Sequence, residues 1–168
     1  LGRTILGPAE RVSSFSRADL QGFVGEHYRP GQMILAAAGA VDHDVLVRLA
    51  EQMFGHLEPA PSVAEEGAKF TGGETRHVKD LEQAHFALAI EGPGYRDASM
   101  YTAQIYASAF GGGMSSRLFQ EVREKRGLCY TIFSQAGSYS DTGSLTIYAG
   151  TSGDRLAELA GITIDELK

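Results

Sequence analysis

At 168 residues, with 43% hydrophobic and 21% charged side chains, the chain has the size and mix of an ordinary globular protein, which excludes a disordered or low-complexity polymer. Its 15 Lys and Arg stand against 21 Asp and Glu; the formal net charge of −6 repels phosphate backbones and argues against a nucleic-acid partner. No apolar run approaches the roughly 18 residues of a membrane-spanning helix, and the single cysteine, Cys129, rules out an internal disulfide or a thiolate zinc cage.

The chain opens on Leu1 rather than Met and reads as a piece of a longer product. Ser16 followed three residues later by Asp19 forms a capping-box pattern, and Leu20, Phe23, Val24 and His27 recur at helical spacing, so a helix is expected up to the Arg29-Pro30-Gly31 turn. Met33 to Ala40 is a short apolar run expected as a buried strand. Asp42 then caps a second helix with a stripe of Val45, Leu46, Leu49, Ala50 and Met53, and Gly55 is expected to end it in a left-handed conformation.

Periodicity vanishes between His56 and Gly73, where Pro59, Pro61, Glu65, Glu66, Gly67, Gly72 and Gly73 accumulate. That composition is a linker. The expected organisation is therefore 1–55 as the end of one domain, 56–73 as linker and 74–168 as the start of another. A charged strand over Thr75 to Lys79 is expected next, then a half-buried strand in which Phe86, Leu88 and Ile90 alternate with Ala87, Ala89 and Glu91. Asp97 is a candidate cap for a largely buried helix carrying Met100, Tyr101 and Ile105. A further helix follows Ser115 or Ser116, with Leu118, Phe119 and Val122 on one side and Gly127 at its end. Cys129 to Gln135 and Ser144 to Ala149 read as a hairpin across Gly137 to Gly143, and Asp154 starts a last helix with Leu156, Leu159 and Leu167. The fold class is α+β, mainly antiparallel sheet with layered helices.

Three consecutive glycines, Gly111, Gly112 and Gly113, precede Met114-Ser115-Ser116-Arg117. Without Cβ atoms such backbone can take positive φ or approach another chain closely. A phosphate cradle is the competing reading, but the run lacks the lysine of a nucleotide loop and no strand feeds it. His77 and His85 flank two expected strands without an acid or thiol beside them, which favours a structural or solvated pair over a metal site. Cys129 alternates away from Tyr130 and reads as a small buried hydrophobe.

The string from Gly111 to Tyr130 resembles the signature of the C-terminal substrate-binding region of the pitrilysin, insulinase and mitochondrial processing peptidase family of zinc peptidases; Leu1 to Leu6 is similar to the stretch that follows the family's catalytic region, and Tyr28-Arg29-Pro30 before an apolar run also fits. The resemblance implies a parent that hydrolyses peptides or presequences with zinc held by an H-x-x-E-H motif and a distant glutamate. The five histidines here, His27, His43, His56, His77 and His85, include no pair four residues apart, so the motif is expected upstream of Leu1 and no zinc is expected on this chain. It further implies that Arg123 and Tyr130 contact substrate beside the scissile bond, with Gly111, Gly112 and Gly113 as backbone close to the peptide. A missing N-terminal half or partner subunit would close the chamber, and the full-length form would be a dimer. The same resemblance covers non-catalytic members that bind peptides or support assembly.

Overall fold

The computed structural model describes residues 2–59 and 66–168, and the chain divides into two compact units, Leu1–Glu66 and Gly67–Lys168. Leu1 and residues 60–65, with Pro61 and Glu65 of the expected linker, lie outside the described residues.

The first unit holds three helices, α1 (Ala9–Ser14), α2 (Arg17–His27) and α3 (His43–Phe54), with a 3-10 turn at Pro30–Gln32. The capping box forms: Ser16 Oγ accepts from the Asp19 amide at 3.2 Å, and Asp19 Oδ2 accepts from the Ser16 amide at 2.8 Å. Asp42 caps α3 by accepting the Val45 amide at 3.0 Å. Gly55 is not left-handed; at φ −63 it adds one more helical bond, from its amide to the Glu51 carbonyl at 2.8 Å. The expected strand at Met33 to Ala40 is also corrected. Met33 is extended (φ −113, ψ 137), yet Ile34 and Leu35 are exposed and the run pairs with no described strand. An apolar run takes strand form only where a neighbour supplies hydrogen-bond partners, and the described part of this unit contains none.

The second unit is built on a three-stranded antiparallel sheet of β1 (Ala84–Gly92), β2 (Cys129–Ser138) and β3 (Gly143–Thr151), in the order β1-β3-β2. β3 is central, pairing Ala84↔Thr151 to Gly92↔Gly143 on one side and Ile132↔Ala149 to Ser138↔Gly143 on the other. The hairpin strands run longer than expected, and the turn tightens to a bond from the Tyr139 amide to the Thr142 carbonyl at 2.7 Å. No strand forms at Thr75 to Lys79. The charged run lacks the apolar face that would hold it on the sheet.

Helices α4 (Met100–Gly111) and α5 (Leu156–Glu166) and a π-helical stretch, Phe119–Glu124, complete the unit. Phe110, Leu118, Val122, Leu128, Ile132, Ile147, Ala149 and Leu159 form its core, with Phe86 and Leu88 of β1 packed against it. Leu118, Val122, Ile147 and Leu159 are fully buried, each contributing about 1.5–3 kcal/mol of transfer free energy. α4 is less buried than expected: Met100, Ala107 and Phe110 face the core, whereas Tyr101 and Ile105 point to solvent. Asp97 does not cap α4 with its side chain; its Oδ1 accepts from the amide and hydroxyl of Ser99, the residue immediately before the helix.

Candidate functional site

Two local departures from regular structure set the positions of Arg123 and Tyr130. The first is the widened helical turn. The Lys125 amide reaches back five residues to the Gln120 carbonyl at 3.0 Å, and the stretch is pinned by the buried Leu118 and Val122. Such π turns shift a side chain out of α-helical register, often at functional positions. Gly127, at φ +59, ends it, with the Gly127 and Leu128 amides donating to the Arg123 and Val122 carbonyls at 2.9 and 3.1 Å.

The second departure is a β-bulge. Cys129 pairs with Thr151 but Thr131 pairs with Gly150, so Tyr130 is an extra residue in β2. Strict alternation breaks there: Cys129 and Ile132 are buried, while Tyr130 and Thr131 are both exposed. Cys129 turns inward, and burial pushes its thiol above the usual range, opposed in part by the Arg123 cation. Tyr130, 77% exposed, turns outward.

These features bring Arg123 and Tyr130 together. The Arg123 guanidinium carbon lies over the Tyr130 ring at 5.1 Å from its centroid and over the Phe119 ring at 4.4 Å. Its charge is not spent on a close ion pair: Nη1 is 3.8 Å from Glu124 Oε1, and no hydrogen bond from Arg123 closes among the described residues. The neighbouring cations are committed. Lys125 and Arg126 both bond Glu121, holding its carboxyl below the usual carboxylate range, and Arg117 pairs with Glu166. Arg123 therefore keeps N–H donors for a ligand. Tyr130 also lines an open cleft of about 280 Å³ with Glu82, Gln83, Gly127, Thr151 and Arg155.

The three glycines part company. None has positive φ, so that part of the expectation is corrected. Gly111 is buried and supplies the close approach: a Cβ there would lie 2.5 Å from the Ser134 amide nitrogen of β2. Gly112 and Gly113 are exposed, and a Cβ on Gly113 would meet nothing within 4 Å. The backbone of Gly113 is thus open to a ligand, whereas Gly111 serves helix-on-sheet packing.

His77 and His85 do not meet as a pair in the sheet, since only His85 lies in a strand; His85 Nδ1 instead sits 2.7 Å from the Tyr148 hydroxyl. No three His, Cys, Asp or Glu side chains converge to hold a metal ion among the described residues, so zinc does not fit the donors present. Sequence reasoning missed the bulge and the contact between Phe119 and Arg123. The i, i+4 spacing of those two residues was a usable signal for the contact; the extra residue in β2 left none.

A family model described as the peptidase M16 inactive domain matches residues 14–168. A Rickettsia felis protein called an uncharacterized zinc protease is 44% identical over 157 residues, covering 93% of this chain and 38% of that protein. The Bacillus subtilis uncharacterized zinc protease YmxG is 35% identical over 161 residues, covering 95% of this chain and 39% of its own length. The chain thus spans about two fifths of these relatives. Among solved structures, the peptidase M16 inactive domain from Pseudomonas fluorescens shares the fold with a TM-score of 0.75 at 24% identity, over 96% of this chain and 40% of that one. A chain of complex III2 from Candida albicans gives 0.78 at 25% identity, over 98% of this chain and 42% of its own.

Proposed function

The chain belongs to the peptidase M16 family through its inactive domain, and from that premise we propose that it supplies substrate-handling residues to a zinc-dependent endopeptidase acting on peptides or presequences. The observation carrying this reading is the open pair of Arg123 and Tyr130, a cation with uncommitted donors stacked on an outward-turned phenol. Both groups donate to a carbonyl oxygen, and both do so more strongly as that oxygen gains negative charge during attack on a peptide bond. An extended substrate lies along the exposed side of the sheet or adds to a strand edge, a mode in which main-chain bonds supply affinity. Gly112 and Gly113 are the glycines with backbone exposed for such a contact.

The metal in this reading is held by the rest of the parent protein, where it would supply Lewis-acid chemistry; this chain's share is to bind and orient. The first unit is the end of the preceding homologous domain, and the second unit is the start of the substrate-binding one. A missing N-terminal half or a partner subunit closes the chamber, with the full-length form a dimer. The likeness to a chain of complex III2 favours a second reading, an assembly subunit without catalysis. In that case Arg123 and Tyr130 have no catalytic part.

The deciding experiment is Arg123→Ala in the full-length, zinc-loaded parent. If Arg123 stabilises the developing oxyanion, kcat/KM for peptide cleavage falls by about a hundredfold. An unchanged rate rejects the role.

A further inference from the structure

A long cationic side chain on a surface samples many rotamers, and a donor that must meet one oxygen loses effect when it wanders. Arg123 is restrained on two sides by different kinds of residue. Tyr130 is exposed, carries a donor of its own and stands on the bulge. Phe119 is half-buried, has no polar atom, and belongs to the same π stretch as Arg123, between the fully buried Leu118 and the exposed Gln120. Its ring is also the nearer of the two, at 4.4 Å against 5.1 Å. The backbone that places Arg123 therefore also fixes the ring on which it lies.

Resting on the functional reading above, we propose that Phe119 is a positioning residue for substrate: it acts through Arg123 by holding the guanidinium plane against its ring. Stacking engages the flat faces of the cation and leaves the N–H groups at its edge free to donate. Phe119 itself touches no reacting atom. The close ion pairs of Lys125 and Arg126 keep Glu121 occupied, and among the described residues the carboxylate that Arg123 meets is the loose one of Glu124 at 3.8 Å. An aromatic ring restrains the cation without neutralising it, which a carboxylate in the same place would not do.

The test is a double-mutant cycle in the full-length, zinc-loaded parent, read on the quenched-fluorescent peptide that the wild type cleaves fastest. Phe119→Leu is expected to lower kcat/KM about tenfold, chiefly through kcat, and Phe119→Tyr to restore it to within about twofold. In an Arg123→Ala background, Phe119→Leu is expected to change the rate by less than about twofold. Thermal unfolding of each variant separates positioning from misfolding, and Phe119→Met replaces Phe119→Leu should the latter fail to fold. An undiminished rate in Phe119→Leu, or an equal loss with and without Arg123, overturns the proposal. Full activity in Arg123→Ala alone instead overturns the functional reading on which it rests.

Discussion

Substituting alanine at Gly111 tests how tightly α4 is seated on the sheet. The new Cβ would lie 2.5 Å from the Ser134 amide nitrogen, 2.7 Å from its hydroxyl and 2.9 Å from its Cβ. Two of these three atoms are in the side chain, but that side chain is not free to swing aside, because its buried hydroxyl donates to the Ala107 carbonyl of α4 at 2.7 Å. Relief therefore requires α4 and β2 to separate. Overpacking of this kind costs about 1–3 kcal/mol, and loosening the Ser134 bond adds about 1 kcal/mol. Against this, alanine at a helical position regains about 1 kcal/mol over glycine. The balance is a loss of about 2 kcal/mol, or a fall in melting temperature of roughly 10 °C for a unit near a hundred residues. Gly113→Ala is the control, since nothing stands within 4 Å and its φ is not positive. Urea and thermal unfolding of both variants, followed by circular dichroism, should separate them clearly. If Gly111→Ala melted within about 2 °C of the control, the argument from close backbone approach would be wrong.

Three further outcomes are expected. Tyr130→Phe keeps a ring beneath Arg123 but removes the phenol donor, so kcat/KM in the full-length parent should fall about tenfold, and Tyr130→Ala should fall further; equal activity of Tyr130→Phe and wild type would show that the hydroxyl makes no contact. Cys129 gives a pH effect with a definite sign: because burial raises the folded thiol above its unfolded value, stability is complete below the unfolded pKa and is lost as pH rises toward the folded one. The drop in urea midpoint between neutral and alkaline pH should be smaller in Cys129→Ala, and coincident pH profiles would contradict the assignment. Asp42→Ala removes the acceptor of the Val45 amide and should destabilise α3 by about 1 kcal/mol, measurable as faster amide exchange in its first turn.

What could be read from the residues follows the range of the interactions. Caps and hairpins are local: Ser16 with Asp19, Asp42 with Val45, and the β2–β3 turn all depend on neighbours within a few positions, and each formed as its sequence pattern implied. Met33 to Ala40 is not legible in this way, because a strand exists only if another strand lies beside it, whereas at Thr75 to Lys79 the missing apolar face is itself visible in the residues. At the site, the resemblance points to Arg123 and Tyr130 as substrate contacts, but neither their contact with each other nor the means of bringing them together is written in the residues. A π turn and a one-residue bulge each insert a single residue into a regular ladder, and no side-chain pattern marks where the insertion falls. For Gly111 the residues offer two reasons, freedom of φ and close approach, and do not choose between them; the choice is made by Ser134, a residue far along the chain.

The order β1-β3-β2 also dictates when the second unit can assemble. The strand that both others need is the last of the three to be made, so on a ribosome β1 and β2 emerge with nothing to zip onto until Thr151 is free. The β2–β3 hairpin, separated by only a few residues, closes on the microsecond scale, whereas β1 must then dock across the intervening α4 and π stretch. A ribosomal pause after Ser138 and before Gly143 would leave two strands without the one that lies between them, each with the unpaired edges that invite misassociation.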